Sequence, residues 1–449
     1  MRSAGERGLR QLARALAVAV LSGCGAESPV AIGPAGPAAM PGPPAPETAV
    51  RWVRENAVPL SPAGPVAEEL EPFTEAARAR LIAFGEATHG TREFFEVRQR
   101  FLQYLVEHQG FRTLLLEADG GATCELNAYL QTGMGDPIER IHQMRFWTWR
   151  TLEFLDIVRW LRSYNASVGA DRRVSVQGID MQNPAALAQR VLSFLRDADP
   201  VAGRRVESLY RCLGPLDDRE AMARDYRQAD VGDQLQCAAG LAEVRRLLRE
   251  GQARFEGQDA AGYACALWSA DLMISAEVLL RFPGTRDRQY ADAVLSLLRA
   301  PGAPGGVILW AHNGHVRNAP GSMGLRLKRQ LGDDYIVVGQ TFHGGSFRAR
   351  NLSEDGPSPR AIPIVAPVPF PDSHEAVFQR TGLPKFLLDL RPLRAKAGPA
   401  WLGEPHPLWD IGGVYRPESP NTPARLYEEY DFFVFVSQAR ASTPLPDAK

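Results

Sequence analysis

Apolar residues along this 449-residue chain follow two rhythms. Arg80 to Phe84 ("RLIAF"), Arg112 to Leu116 ("RTLLL") and Gly306 to Trp310 ("GVILW") are short runs, apolar at almost every position. Runs of that length suit strands covered on both faces. Arg173 to Gln177 ("RVSVQ") is a fourth run, but it alternates. Helical spacing, three and four residues between apolar positions, separates the first runs, as in Arg92 to His108 and Arg150 to Tyr164. Strands alternating with helices predict a parallel sheet with helices on both sides. Tyr335 to Gly339 reads as a further strand and Leu426 to Gln438 as the last one. From about Pro200 to Ala300 no strand-like run occurs, and beyond Gly344 the chain is irregular and proline-rich. The expected fold class is α/β: a parallel-sheet core with flanking helices, a mostly helical insertion and an irregular C-terminal α+β portion. Residues 50–200 and 301–440 would form the two parts of the core, and 201–300 the insertion.

The N-terminus is patterned differently. Arg2, Arg7, Arg10 and Arg14 precede a short apolar run, Ala15 to Leu21, and then Leu21-Ser22-Gly23-Cys24. The run is shorter than the roughly 20 residues that span a bilayer. It fits the apolar region of a signal peptide. The tetrad resembles a bacterial lipobox, whose Cys takes a diacylglycerol after cleavage before it. Residues 1–23 are therefore expected to be a lipoprotein signal peptide, with Cys24 anchoring an exported cell-envelope protein. The alternative is an N-terminal extension with an isolated Cys. Residues 24–49, rich in Pro, Gly and Ala, read as a tether. Cys124, Cys212, Cys237 and Cys265 remain, an even number that permits disulfides in an exported protein. Cys212 and Cys237 flank a short polar segment and are the expected pair; the alternative is four reduced, buried residues. A formal net charge of −1, with no Lys/Arg run, offers nothing to nucleic acid.

Ligands of open parallel sheets sit outside the carboxyl ends of the strands. The polar residues there are Glu86 with His89, Glu117 with Asp119, Asp180, and His312 with His315. Four strands thus deliver carboxylates and imidazoles to one edge, which points to a catalytic or metal site. The alternative is that Glu86 and Asp180 cap helices and the histidines satisfy backbone groups. The chain has no Gly-x-Ser-x-Gly elbow, phosphate loop, dinucleotide fingerprint or His-Glu-x-x-His. Glu and His together suit water activation by a general base. They equally suit a metal held by His312, His315 and a carboxylate. On the helix from Arg92, Arg92 and Glu96 fall near the side of His89, and Arg98 lies further on.

These residues carry a resemblance. "FGEATHGTREFFEVRQRFLQYLVEHQGFRTLLLEAD", "FWTWRTLEFLDIVRWLRSYN", "VQGIDMQNP" and "VILWAHNGHVRN" occur in the order of the motifs of the erythromycin esterase family. The resemblance covers the chain from roughly Val50 onward. Arg286-Asp287-Arg288 resembles the family's helix opening, but the following "QYADAV" departs from it. The resemblance implies hydrolysis of a macrolide lactone by water. It implies His89 as general base, Glu86 as its partner, Arg98 as support, Glu117 as the acid after the second strand, and His312 and His315 as paired histidines. A neutral His of that pair would donate to the developing oxyanion. No cofactor is expected; a divalent metal at the Glu/His cluster stays open.

Trp147, Trp149 and Trp160 read first as core, with Trp147 and Trp149 as possible cleft walls. His108, at a helix end, reads as structural. His142, His343, His374 and His406 belong to no constellation, although His142 precedes the Trp motif. Three readings follow. One is a water-activating esterase with an apolar cleft between the sheet edge and the helical insertion. Another is a metal-dependent hydrolase of a different ester or amide. The third is a non-enzymatic envelope lipoprotein binding a small molecule.

Overall fold

The computed structural model describes residues 42–61, 69–216, 218–300, 306–353, 356–395 and 398–446, so the lipobox expectation lies outside the described residues. The apolar runs become the middle of a mixed sheet. Its strands are β1 (Ala57–Pro59), β2 (Leu81–Phe84), β3 (Thr113–Asp119), β4 (Ser175–Asp180), β5 (Val307–Trp310), β6 (Tyr335–Ser353), β7 (Lys385–Asp389) and β8 (Phe432–Ala439). The order across the sheet is β1-β7-β8-β6-β2-β5-β3-β4. From β8 to β4 all neighbours are parallel, while β7 runs antiparallel to β8. The far half of β6 pairs with three short strands, at 356–357, 362–365 and 414–415.

Alternation of side chains across the pleat divides the core. Leu81, Ala83, Leu115, Val307, Leu309 and Val337 face one layer of helices. Ile82, Phe84, Leu114, Leu116, Ile308 and Val338 face the other. Each such side chain contributes about 1.5–3 kcal/mol by leaving water. The second layer contains α2 (Arg92–His108) and α4 (Leu152–Ser167), with Thr151 capping α4 at Phe154 N. The "RVSVQ" run alternates because β4 is the edge strand, leaving Ser175 and Gln177 half-exposed.

The first layer is supplied between β4 and β5 by α5 (Pro184–Ala198), α6 (Pro200–Tyr210), α7 (Arg219–Gln228), α8 (Val231–Glu250), α9 (Gln252–Arg281) and α10 (Arg286–Arg299). Two disulfides tie this layer down. Cys212 bonds Cys237 as expected, and Cys124 on α3 (Thr123–Thr132) bonds Cys265 on α9. The second closes a loop of 141 residues, so it restricts the unfolded chain strongly. Cys124→Ser with Cys265→Ser is expected to cost about 2–5 kcal/mol in urea unfolding. An unchanged midpoint would show that this bond is not formed.

Three boundaries differ from expectation. α1 (Glu47–Asn56) begins inside the segment read as tether, because Ala49, Val50 and Val53 form a buried stripe. β3 continues through Glu117 to Asp119, so both acids are strand residues. Leu426–Glu429 is a short helix before β8, with the Glu429 carboxylate accepting from Arg425 N.

Candidate functional site

The loop from β2 to α2 is Gly-Glu-Ala-Thr-His-Gly-Thr. Its glycines permit close approach of backbone. A Cβ on Gly85 would lie 2.2 Å from Asn313 Oδ1, and one on Gly90 1.9 Å from Arg348 O. That packing holds Glu86 and His89, both buried, at the sheet centre. His89 Nδ1 lies 2.6 Å from Glu86 Oε1. Arg98 of α2 donates to Glu86 Oε2 at 2.6 Å and to Gly85 O at 2.8 Å. The Arg98 guanidinium stacks 4.2 Å from the Trp310 ring centroid. Burial pushes its pKa down to about 10, so it remains a cation at neutral pH. A carboxylate only accepts hydrogen bonds, so His89 Nδ1 carries the proton and Nε2 is the basic nitrogen.

Glu117 at the end of β3 is the second centre. Its Oε2 accepts from His312 N at 2.9 Å, and its Oε1 lies 3.2 Å from His315 Nε2 and 3.1 Å from Arg286. Burial alone would raise its pKa, but His315 and Arg286 hold it down at about 2. On its far side, His315 Nδ1 meets Asp287 Oδ1 at 3.0 Å. Burial works against a charged imidazole, yet Asp287 and Glu117 push His315 well above the ordinary His range. His315 thus sits between two carboxylates, one at each ring nitrogen, an arrangement that favours the imidazolium.

His312 caps α11 (Asn313–Val316) by accepting from Gly314 N at 3.1 Å. Its Nδ1 also lies 3.3 Å from Asp410, and its Nε2 3.2 Å from Ala87 O. The ring packs 5.4 Å from His89, centroid to centroid.

Asp180 and Asp119 part company. Asp180 accepts from Arg286 at 2.7 Å, from Gln182 N at 2.7 Å and from the Tyr290 hydroxyl. Asp119 instead organises the turn into α3, accepting from Ala122 N at 2.8 Å and Asn183 at 2.5 Å, and burial pushes its pKa up to about 6. Arg92 pairs with Glu96 at 2.8 Å on a more exposed part of α2.

A narrow cleft, about 20 Å³, opens on this cluster, lined by His89, Glu117, Trp147, Gln182, Arg286 and Gly413 among others. Trp147 is a cleft wall, its ring 5.3 Å from the Arg348 guanidinium. Trp149 is core: it packs on Trp310 and donates to Glu117 O at 3.1 Å. Trp160 stacks on Tyr164. His142 reaches Pro446 O, His374 lies buried against Ala424 O, and His406 stacks on Trp401. A second, larger cavity lies between the insertion and the end of β4.

The donor set does not suit a metal held by His312, His315 and a carboxylate. The two rings are 6.4 Å apart and both nitrogens of His315 already face carboxylates. Among the described residues no group of three His, Cys, Asp or Glu side chains is arranged to hold an ion.

Arg286, Asp287, Tyr290, Gln182 and Asp410 are the residues that sequence reasoning missed. Arg286 and Asp287 stood in the helix-opening motif, and Tyr290 in the segment that departs from it. Asp410 lies in the irregular C-terminal portion, where nothing in the pattern marks it. Asp287→Asn is expected to remove one of the two anions that charge His315. Its pKa then falls toward neutrality, and kcat/KM should drop about tenfold as pH rises through it. Imidazole nitrogen NMR reads the shift; an unmoved His315 pKa would contradict this electrostatic account.

The sequence profile described as erythromycin esterase matches residues 106–439. Erythromycin esterase type II of Escherichia coli is 25% identical over 331 residues, 66% of this chain and 78% of that protein. Type I of the same organism is 25% identical over 266 residues, 54% of this chain and 63% of that protein. A Bacillus cereus protein of solved structure superimposes with a TM-score of 0.74 at 23% identity, covering 89% of this chain and 99% of the other. A structure described as a succinoglycan biosynthesis protein gives 0.74 at 24% identity, covering 88% and 98%. An erythromycin esterase mutant, EreC in its open conformation, gives 0.58 at 19% identity, covering 83% and 94%. With a matching profile over most of its length, this chain belongs to the erythromycin esterase family.

Proposed function

We propose that the protein hydrolyses a carboxylic ester by direct attack of water, with His89 as general base. The observation that carries this reading is the buried 2.6 Å contact of His89 Nδ1 with Glu86, in a ring that also lines the cleft. Glu86 fixes the tautomer and stabilises the imidazolium formed when Nε2 takes a proton from water. Arg98 keeps Glu86 oriented. The hydroxide so generated adds to the ester carbonyl, and the oxyanion is met by Arg286, a cation already in the cleft wall. When the intermediate collapses, His89 returns its proton to the departing alkoxide, leaving an acid and an alcohol. General-base catalysis of this kind is worth about 10²–10⁴-fold.

The curated relatives are erythromycin esterases, so a macrolide lactone is the first substrate class. The test is mass spectrometry of a panel of macrolides and simple esters incubated with the protein. The expected result is a mass gain of one water on at least one of them. No product from any lactone or ester would overturn the reading.

The same proposal places the enzyme at the cell envelope, anchored through Cys24. Two disulfides suit a chain that matures in an oxidising compartment. A palmitate analogue is expected to label the protein and to be lost in Cys24→Ala; an unlabelled wild-type protein would sink the anchor.

A further inference from the structure

The larger cavity, about 90 Å³, is lined by Met181, Met222, Ala223, Ala276, Leu279 and Leu280, among others. Gln182, Arg286 and Asp287 also reach it, and Gln182 and Arg286 line the catalytic cleft as well. The two spaces therefore share a polar boundary at the reacting centre. Away from that boundary the walls are mainly apolar, with Arg227 of α7 among them.

Helix α9 shows why the sequence builds such a space. Its mean hydropathy reaches 1.4 over eighteen residues, yet only half of that window is buried. One side, with Ala276 and Leu280, packs into the core, and Leu279 stands half-exposed beside the cavity. The apolar surface left over by the core is thus turned to a chamber rather than wholly to the protein interior. Met181 and Met222 add unbranched, polarisable side chains that adapt to irregular ligands.

We propose that this cavity is an acyl subsite, a reading that rests on ester hydrolysis at the cleft. The apolar acyl side of the substrate lies in the cavity, with its carbonyl at the Arg286–Gln182 boundary beside His89. The alcohol side faces Trp147. The catalytic cleft alone is the smaller space, about 20 Å³ against about 90 Å³ for the second cavity. A macrocyclic lactone would straddle both chambers, and an open-chain ester with a long acyl group would fill the larger one.

The test uses p-nitrophenyl esters from acetate to octanoate. The wild-type kcat/KM is expected to rise about fourfold for each buried methylene. Ala223→Trp, which fills the cavity from α7, should lower the octanoate value at least tenfold and leave acetate within twofold. Gly284→Phe, where a Cβ meets nothing within 4 Å, narrows the cavity without disturbing the core and should act in the same direction. A flat wild-type series, or equal losses on acetate and octanoate in both variants, would overturn the assignment. A binding arm separates this from the hydrolase reading: octanoate should raise the urea midpoint of the wild type and of His89→Asn, but not of Ala223→Trp. If no ester is turned over and that binding pattern holds, hydrolysis fails and the subsite stands. If octanoate stabilises none of them, the subsite fails.

Discussion

His89→Asn is expected to lower kcat by about 10³-fold, leave KM within a few-fold and barely move the unfolding midpoint. The reasoning is geometric. The Asn amide can still donate to Glu86, so the buried Glu86–Arg98 pair keeps its surroundings. What is lost is the imidazole whose Nδ1 meets Glu86, on a residue that lines the same cleft as Arg286. A loss confined to kcat identifies an interaction made in the transition state. A comparable rise in KM with kcat unchanged would show instead that the ring only binds substrate. Steady-state kinetics on the ester found by mass spectrometry, with urea unfolding of the same preparation, decides between them.

Glu117→Gln is expected to fail on two counts. The carboxylate is shared by Arg286, the His315 imidazolium and the His312 N–H. Glutamine keeps the size and can still accept from His312 N, but it leaves two buried cations without their common anion. Removing one partner of a buried ion pair costs about 3–5 kcal/mol. Activity should fall at least 10²-fold, because Arg286, then held by Asp180 alone, loses one of the two carboxylates that orient it at the cleft. The pH dependence has a definite sign. The Glu117 pKa is depressed to about 2 in the fold, against an ordinary value near 4.5. Its stabilisation, about 3 kcal/mol from that shift, is complete above roughly pH 4.5 and is lost as pH falls through 2. The stability gap between wild type and Glu117→Gln should therefore be wide at pH 7 and close at acid pH. A gap independent of pH would show that lost packing, rather than lost charge, destabilises the variant.

The sheet was legible in the sequence because β2, β3 and β5 are buried on both faces and so are apolar at nearly every position. The delivery of Glu86, His89, Glu117 and Asp180 to one edge followed from the parallel topology, since β2, β3 and β4 end on the same side. What could not be read was which of those groups touch. His315 and His312 looked like equivalent imidazoles three residues apart. Only Asp287, brought from the start of α10, makes one of them a fixed cation. Asp119 looked equivalent to Glu117 two residues earlier, but the register irregularity of β3 between Leu116 and Asp119 and the turn into α3 send it to Ala122 N and Asn183. Arg286 was invisible as a catalytic candidate because an arginine opening an amphipathic helix is ordinarily solvated. Its role depends on packing against Tyr290, 4.8 Å from its ring centroid, which no local pattern encodes.

The most direct test of water attack driven by His89 is a single-turnover reaction in ¹⁸O-labelled water, quenched in acid, with mass spectrometry of both product and protein. The account predicts one ¹⁸O in the product carboxylate, no acyl adduct on the protein, and no labelled product from His89→Asn on the same timescale. A covalent acyl-protein, or equal labelling by wild type and His89→Asn, would contradict it.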